Sequence, residues 1–405
     1  MHSYRFVCLI LVCLTGCATL GADSIRPAAT LPESTPWDLK ALSGAPTCTW
    51  LKQDDKVHSL RYAGLPYQGQ ATEVFAYYAS PSTLSGEAGG PYPAVVLVHG
   101  GGGTAFDVWA TLWAERGYAA IAMDLAGKTP DGQRLAKGGP DQGDDTKFGN
   151  IGGAVTDQWS YHAVANVILA HSLIRSFDEV DAKRTAVTGI SWGGYLTNIV
   201  AGVDNRFSAA VPVYGCGFLH EGSAWDGQFA AMSEENRAKW VGLWDPSAYV
   251  GSTSVPMFFV NGTNDFAYWM ESYRKTYELV QGERNLCITV NMPHGHEVGW
   301  APQEIGLFID EHLIAGTPLP KITLAEAAGG EVAATVSAVT TLKSAGLHYT
   351  TDPAKSPDRK WDTVPAVIDG KKITAPAPPP GTIIWFLTVI DERDAVVSSE
   401  LVIGE

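Results

Sequence analysis

The stretch Thr188-Gly189-Ile190-Ser191-Trp192-Gly193-Gly194-Tyr195 lies between the apolar pair Ala186-Val187 and an apolar run ending at Val200. It reads as a strand end, a small-residue turn and a helix start built around one serine. A chain that bends sharply from strand into helix has no room for side chains beside the bend, so Gly189 and Gly193 suit a turn that lifts the Ser191 hydroxyl over a sheet edge. Ser191 is therefore the candidate nucleophile.

A strand-to-helix turn of this kind calls for a layered α/β domain, and the flanking sequence alternates accordingly. Strands are expected at 73–80 (EVFAYYAS), 94–98 (AVVLV), 119–123, 186–189, 209–213, 257–261 and 286–292. The unbroken branched run at 94–98 suits a strand buried on both faces, hence a mostly parallel central sheet. Helical spacing is expected at 107–116, 157–176, 195–200, 270–279 and 302–313. Beyond Gly316-Thr-Pro-Leu-Pro320 the helical signals fade, and short alternating stretches at 332–338, 346–350, 366–368, 383–390 and 396–403 indicate a separate β-sandwich.

A serine hydroxyl attacks poorly near neutral pH without a histidine base and a carboxylate that orients it. Asp265 follows the strand at 257–261 in Asn261-Gly-Thr-Asn-Asp265, at a carboxyl edge where loops converge, and is the candidate acid. Asp245, in Trp244-Asp245-Pro246, is the rival and suits helix capping. The segment Met292-Pro-His294-Gly-His296-Glu297 offers two bases. His296, just past Gly295 at the loop apex, is expected to be the base, with His294 as the alternative.

The run His99-Gly100-Gly101-Gly102-Gly103 follows the buried strand at 94–98. Backbone amides at Gly101 and Trp192 are the candidate oxyanion donors, while His99 is expected to hold the glycine loop. The run lacks the following Lys-Ser/Thr of a phosphate loop and the spacing of a dinucleotide loop, so no cofactor is expected. Trp225, Trp269 and Trp300 neighbour the proposed site and are candidate pocket walls. Asp141, Asp144 and Asp145 crowd the loop at 138–148; they could order a cation, but a salt-bridged surface loop is the favoured reading and no metal is assigned.

The 405 residues carry 28 Lys+Arg against 43 Asp+Glu, a net charge of −15, which speaks against nucleic-acid binding because no basic cluster is available for phosphates. Residues 4–16, YRFVCLILVCLTG, form an apolar run too short to span a bilayer and read as a removable signal peptide, 1–16. Leu14-Thr-Gly-Cys17 fits a bacterial lipoprotein box, with lipid on Cys17. A flexible tether over 17–50, a catalytic domain over 51–315 and the β-sandwich over 316–405 complete the division. Cys48, Cys216 and Cys287 are too widely spaced for a zinc site or a local redox pair, and structural burial is expected for them.

These residues resemble the α/β-hydrolase superfamily, in particular its prolyl-oligopeptidase-like, dienelactone-hydrolase-like and acetylxylan-esterase-related serine esterases, over roughly residues 70–315. The resemblance implies a three-layer α/β sandwich with Ser191 in the elbow, Asp265 in GTND as the acid and His296 in PHGHE as the base. The amino-terminal propeller of the peptidase members is not expected, since about 50 mature residues precede the catalytic region. The last 85 residues resemble an immunoglobulin-like sandwich attached to exported polysaccharide-processing enzymes. The implied function is hydrolysis of carboxylic esters, with acyl groups removed from carbohydrate or plant-derived substrates by an exported lipoprotein anchored to membrane only through Cys17. An exported serine exopeptidase is the alternative, and a catalytically inert, carbohydrate-binding surface lipoprotein is a second.

Overall fold

The computed structural model describes residue 32 and residues 34–404, so the expected leader and the lipid-bearing Cys17 lie outside the described residues. Nine strands form the central sheet: β1 (Cys48–Lys52), β2 (His58–Tyr67), β3 (Gln70–Ala79), β4 (Tyr92–Val98), β5 (Ala119–Met123), β6 (Val180–Ile190), β7 (Ala209–Val213), β8 (Met257–Gly262) and β9 (Arg284–Thr289). Their spatial order is β1-β2-β3-β5-β4-β6-β7-β8-β9. From β5 to β9 the pairing is parallel, and β1, β2 and β3 add antiparallel strands at one side. In β4 every residue after Tyr92 is buried, as an apolar run without alternation requires.

Helices cover both faces. They are α1 (Leu39–Leu42), α2 (Pro81–Ser85), α3 (Asp107–Glu115), α4 (Trp159–Ile174), α5 (Trp192–Val203), α6 (Asp226–Ala231), α7 (Glu234–Trp244), α8 (Met270–Glu278), α9 (His296–Trp300) and α10 (Gln303–Leu313). All of α4 except Tyr161 is buried, so this helix is enclosed rather than amphipathic. The exception is covered by Trp37, whose ring stacks on Tyr161 at 6.4 Å and whose Nε1 donates to the Tyr161 carbonyl at 2.8 Å. The tether expected over 17–50 is therefore corrected at its distal end. From Trp37 onward the chain is packed, because an indole and the first strand find partners in the catalytic domain.

The carboxy-terminal region comprises β10 (Lys321–Ala328), β11 (Glu331–Ser337), β12 (Leu342–Thr350), β13 (Asp362–Asp369), β14 (Lys372–Pro376), β15 (Ile384–Asp391), β16 (Val396–Ser398) and β17 (Val402–Ile403). One antiparallel group runs β10-β11-β14-β13; a second joins β13, β12 and β15, with β16 and β17 on β15. Val332 and Ala375 from the first group pack with Leu347 and Leu387 from the second. This region also continues the central sheet. Ser398 pairs with Leu286 of β9, and its Oγ accepts the Ile288 N–H at 2.8 Å. Cys48, Cys216 and Cys287 are unbridged, the last two buried.

Candidate active site

β6 delivers Ser191 at the amino end of α5 with φ 59° and ψ −117°, a left-handed region that costs a non-glycine residue about 1–3 kcal/mol. The turn tolerates no bulk on either side. A Cβ on Gly189 would lie 2.2 Å from the Gly193 carbonyl oxygen, and one on Gly193 only 1.9 Å from that of Val98. Serine at a helix start commonly caps the next turn, but the Ser191 side chain makes no such bond, which leaves its hydroxyl for other chemistry.

Asp265 leaves the end of β8 almost fully buried. Its Oδ1 accepts the amides of Ala267 at 2.8 Å and Tyr268 at 2.7 Å, and its Oδ2 lies 2.6 Å from His294 Nδ1. With the carboxylate as acceptor, the imidazole proton sits on Nδ1 and Nε2 keeps its lone pair, the tautomer a general base needs. Tyr214 stacks on the His294 ring at 4.3 Å and donates through its hydroxyl to the Pro293 carbonyl at 2.8 Å, while Phe266 meets the ring edge-on at 4.7 Å.

The expected preference for His296 is corrected here. His296 begins α9, its Nε2 accepts the Gly100 N–H at 3.0 Å, and its ring packs on Phe106 at 4.9 Å. Burial, followed by repulsion from His99 and His294, pushes it down to about 4. The reason for the reversal is directional. Residue 294 leaves the β9 turn on the side of the Asp265 loop, whereas α9 carries residue 296 onto the glycine loop. Asp245 is fully buried and accepts the amides of Phe218, Leu219 and Ser247, so it ties loops together.

His99 braces the glycine loop. Its Nε2 accepts the Leu125 N–H at 2.9 Å, so its Nδ1 carries the proton and donates to the Gly100 carbonyl at 2.7 Å. Complete burial holds it neutral, down to about 4. Gly101 lies against the Trp192 indole, where a Cβ would come within 3.0 Å of Cδ1. Gly101, Ser191, Trp192, Trp225, Phe266, His294 and His296 are among the residues that enclose a cavity of about 330 Å³. A larger open hollow of about 890 Å³ beside Trp50 and Phe177 contains none of these groups.

This architecture recurs in the acetyl xylan esterase from Paenibacillus sp. R4, with a TM-score of 0.55 at 21% identity over 68% of this chain and 92% of that one. The chain has the α/β-hydrolase fold. Acetyl xylan esterase 1 from Thermoanaerobacterium sp. JW/SL YS485 superposes with a TM-score of 0.54 at 16% identity, covering 70% and 95% of the two chains. In sequence, the chain matches the acetyl xylan esterase (AXE1) family over residues 44–221 and the PhoPQ-activated pathogenicity-related protein family over 227–358. It is 26% identical over 220 residues to dipeptidyl-peptidase 5 of Aspergillus fumigatus, covering 49% of this chain and 28% of that protein. It is 28% identical over 211 residues to the uncharacterized peptidase YuxL of Bacillus subtilis, covering 47% and 28%. The chain thus spans little more than a quarter of the length of these curated relatives.

Of the three tryptophans expected around the pocket, Trp225 lines it, 4.6 Å from the Trp192 ring. The other two are corrected. Trp269 is not among the residues that line it and carries the Lys355 ammonium 4.8 Å above its ring. Trp300 stacks on Trp109 at 5.3 Å and lines a separate groove of about 440 Å³ with α3 and α10. In the acidic loop, Asp141 accepts the Gly143 amide at 2.9 Å and Asp144 pairs with Lys147 at 3.3 Å. Lys147 is itself buried, its ammonium 4.5 Å over the Trp192 ring, and desolvation lowers its pKa. Lys147, Tyr214, Phe266 and Tyr268 carry no local motif, so sequence reasoning had no signal for them.

The carboxy-terminal region grips the acid loop. Asn264 Nδ2 donates to the carbonyls of Arg359 at 2.6 Å and Pro357 at 3.1 Å, and Ser356 Oγ donates to the Thr263 carbonyl at 3.4 Å. Arg359 pairs with Glu271, and Lys355 lies 3.7 Å from Asp226.

Proposed function

We propose that this α/β-hydrolase is a serine carboxylic ester hydrolase that removes small acyl groups, such as acetyl, from carbohydrate or plant-derived esters. The observation that carries the reading is the 2.6 Å bond between Asp265 and His294 beside the cavity that Ser191 lines. The AXE1 match over 44–221, which includes the elbow, supports the ester and acyl class. The leader and Cys17 support export and lipid anchoring.

In this reading His294 Nε2 takes the Ser191 proton as Oγ bonds to the acyl carbon. The carbonyl electron pair moves onto oxygen, and the amides of Gly101 and Trp192 receive the resulting charge. Collapse breaks the carbon–alcohol bond, with His294 returning the proton to the leaving oxygen. Water, deprotonated by the same nitrogen, then releases the acid and restores Ser191. His296 positions the glycine loop rather than exchanging protons with Ser191.

The test is a panel of acetylated sugars, aryl acetates and aminoacyl-amides with wild type and Ser191→Ala. Acetate release that vanishes in the variant supports the reading, whereas equal hydrolysis by the variant removes Ser191 as nucleophile. The dipeptidyl-peptidase similarity favours a peptidase as the second reading, and turnover of aminoacyl-amides above esters would select it. An inert binding protein would turn over neither class and would not label with a fluorophosphonate.

A further inference from the structure

Lys147 and Phe148 are consecutive residues of one π-helical turn, Asp145–Gly149, a rare conformation that is frequent at functional sites. Both are buried, and both reach the Trp192 indole. The Lys147 ammonium lies over its face at 4.5 Å, and the Phe148 ring meets it edge-on at 5.9 Å. The turn is fixed from behind. Trp240 Nε1 donates to the Lys147 carbonyl at 2.7 Å, and the Phe148 ring stacks on Trp240 at 5.4 Å. Burying an ammonium is costly unless it is well paired, and the carboxylate partner here is a poor one. Asp144 lies 3.3 Å away, but its side chain is 63% exposed, where water screens the pair. What remains is the attraction between a desolvated cation and a tryptophan face, the strongest ring for this contact. A methionine would fill much the same volume with no charge to bury.

The indole held in this way touches both proposed oxyanion donors. Trp192 opens α5 with its own amide, and Gly101 lies against the ring, where a Cβ would come within 3.0 Å of Cδ1. The spacing of the two amides therefore depends on where the ring sits. We propose that Lys147 is a positioning residue whose charge seats the Trp192 indole and so sets the two amides that receive the oxyanion. Lys147 is not among the residues that line the cavity of Ser191, so it acts through Trp192 rather than on the substrate. The proposal rests on Ser191 being the nucleophile and on Gly101 and Trp192 being the donors.

The experiment compares wild type, Lys147→Met, Lys147→Arg and Ser191→Ala as full chains. It reads kcat and KM on p-nitrophenyl acetate, Ki for an aryl trifluoromethyl ketone, and Tm. Such a ketone takes the serine oxygen at its carbonyl carbon and becomes a tetrahedral oxyanion, so its Ki reports on the two amides. Lys147→Met is expected to lower kcat and to raise Ki, each by about 10-fold, with KM within about 2-fold and Tm unchanged or raised because a buried charge has gone. Lys147→Arg, which keeps a cation able to stack on the ring, is expected to stay within about 3-fold of wild type. An unchanged kcat in Lys147→Met overturns the proposal, and so does a loss of kcat with Ki unchanged, which would place the effect away from the oxyanion. A Tm that falls with the rate makes the lysine structural and overturns it as well. Lys147→Arg as slow as Lys147→Met does the same, because charge would then not be what matters. Should the Met variant not fold, Lys147→Gln takes its place with the same outcomes. A Ser191→Ala chain that still hydrolyses the ester overturns both this proposal and the functional reading, whereas inactive Ser191→Ala with unimpaired Lys147→Met overturns this proposal alone.

Discussion

His294 Nδ1 lies 2.6 Å from Asp265 Oδ2, and both side chains hang from loops at the carboxyl ends of adjacent parallel strands, β9 and β8. The carboxylate is held by two amides of its own turn, so it cannot swing toward His296 without losing them. That bond separates the phenotypes expected of the two histidines under the proposed function.

His294→Ala is expected to lower kcat for an aryl acetate by about 10³-fold or more, the scale on which removal of a general base acts in serine hydrolases. His296→Ala is expected to cost about 10-fold, through the freed Gly100 amide and a looser glycine loop. Single-turnover acylation rates for the two variants check this, and a larger loss at His296 would contradict the assignment.

Asn264 joins the acid loop to the carbonyls of Pro357 and Arg359. Asn264→Ala is expected to lower kcat by about 10-fold while leaving KM within a factor of about 2, because small displacements of an orienting group act on the transition state. Steady-state kinetics on the folded variant measure the split. An unchanged kcat would mean that the carboxy-terminal grip does not position Asp265.

Trp225 closes the side of the cavity next to Trp192. Trp225→Ala is expected to raise the ratio of butyrate to acetate kcat/KM by about 15-fold, since butyrate carries two more methylenes and each one accommodated in an apolar pocket is worth about 0.8 kcal/mol. A p-nitrophenyl ester series reads it. A flat chain-length profile in both proteins would place the acyl group elsewhere.

Burial holds His99, His296 and His348 neutral, each down to about 4. In the unfolded chain they titrate near ~6.5, so between those values the unfolded state binds more protons and stability rises with pH. The stabilisation is complete above about pH 6.5 and is lost as pH falls toward about 4; for the fully enclosed His99 it amounts to about 3 kcal/mol. Urea midpoints are expected to drop steadily from pH 7 to 4.5, with a shallower slope in His348→Gln. Equal midpoints at the two ends would refute it.

Much of the fold was legible because the parallel strands are plain apolar runs. The stretch 94–98 became the core of β4, and 209–213 matches β7 residue for residue. The edge strand β1 was missed because its exposed and half-buried residues show no clean alternation. The helix α7 was also missed: it buries only Trp240 and Trp244 and so presents little periodic stripe. Trp37, set in a segment rich in Ala, Pro, Ser and Thr, gave no sign that Tyr161 and Trp244 would receive it.

Local chemistry is what the sequence determined by itself. Glycines at 189 and 193 allow the bend at Ser191, glycines at 100–103 allow a close backbone approach, and Asp265 sits where a strand ends. These are properties of neighbouring residues, and neighbours are written in order. Tertiary structure alone decided which histidine meets Asp265 and which tryptophan lines the cavity of Ser191. Each depends on the direction in which a side chain leaves a strand end and on what comes to meet it from a distant segment. His294 and His296 stand one glycine apart in sequence, yet only one of them leaves β9 toward the carboxylate.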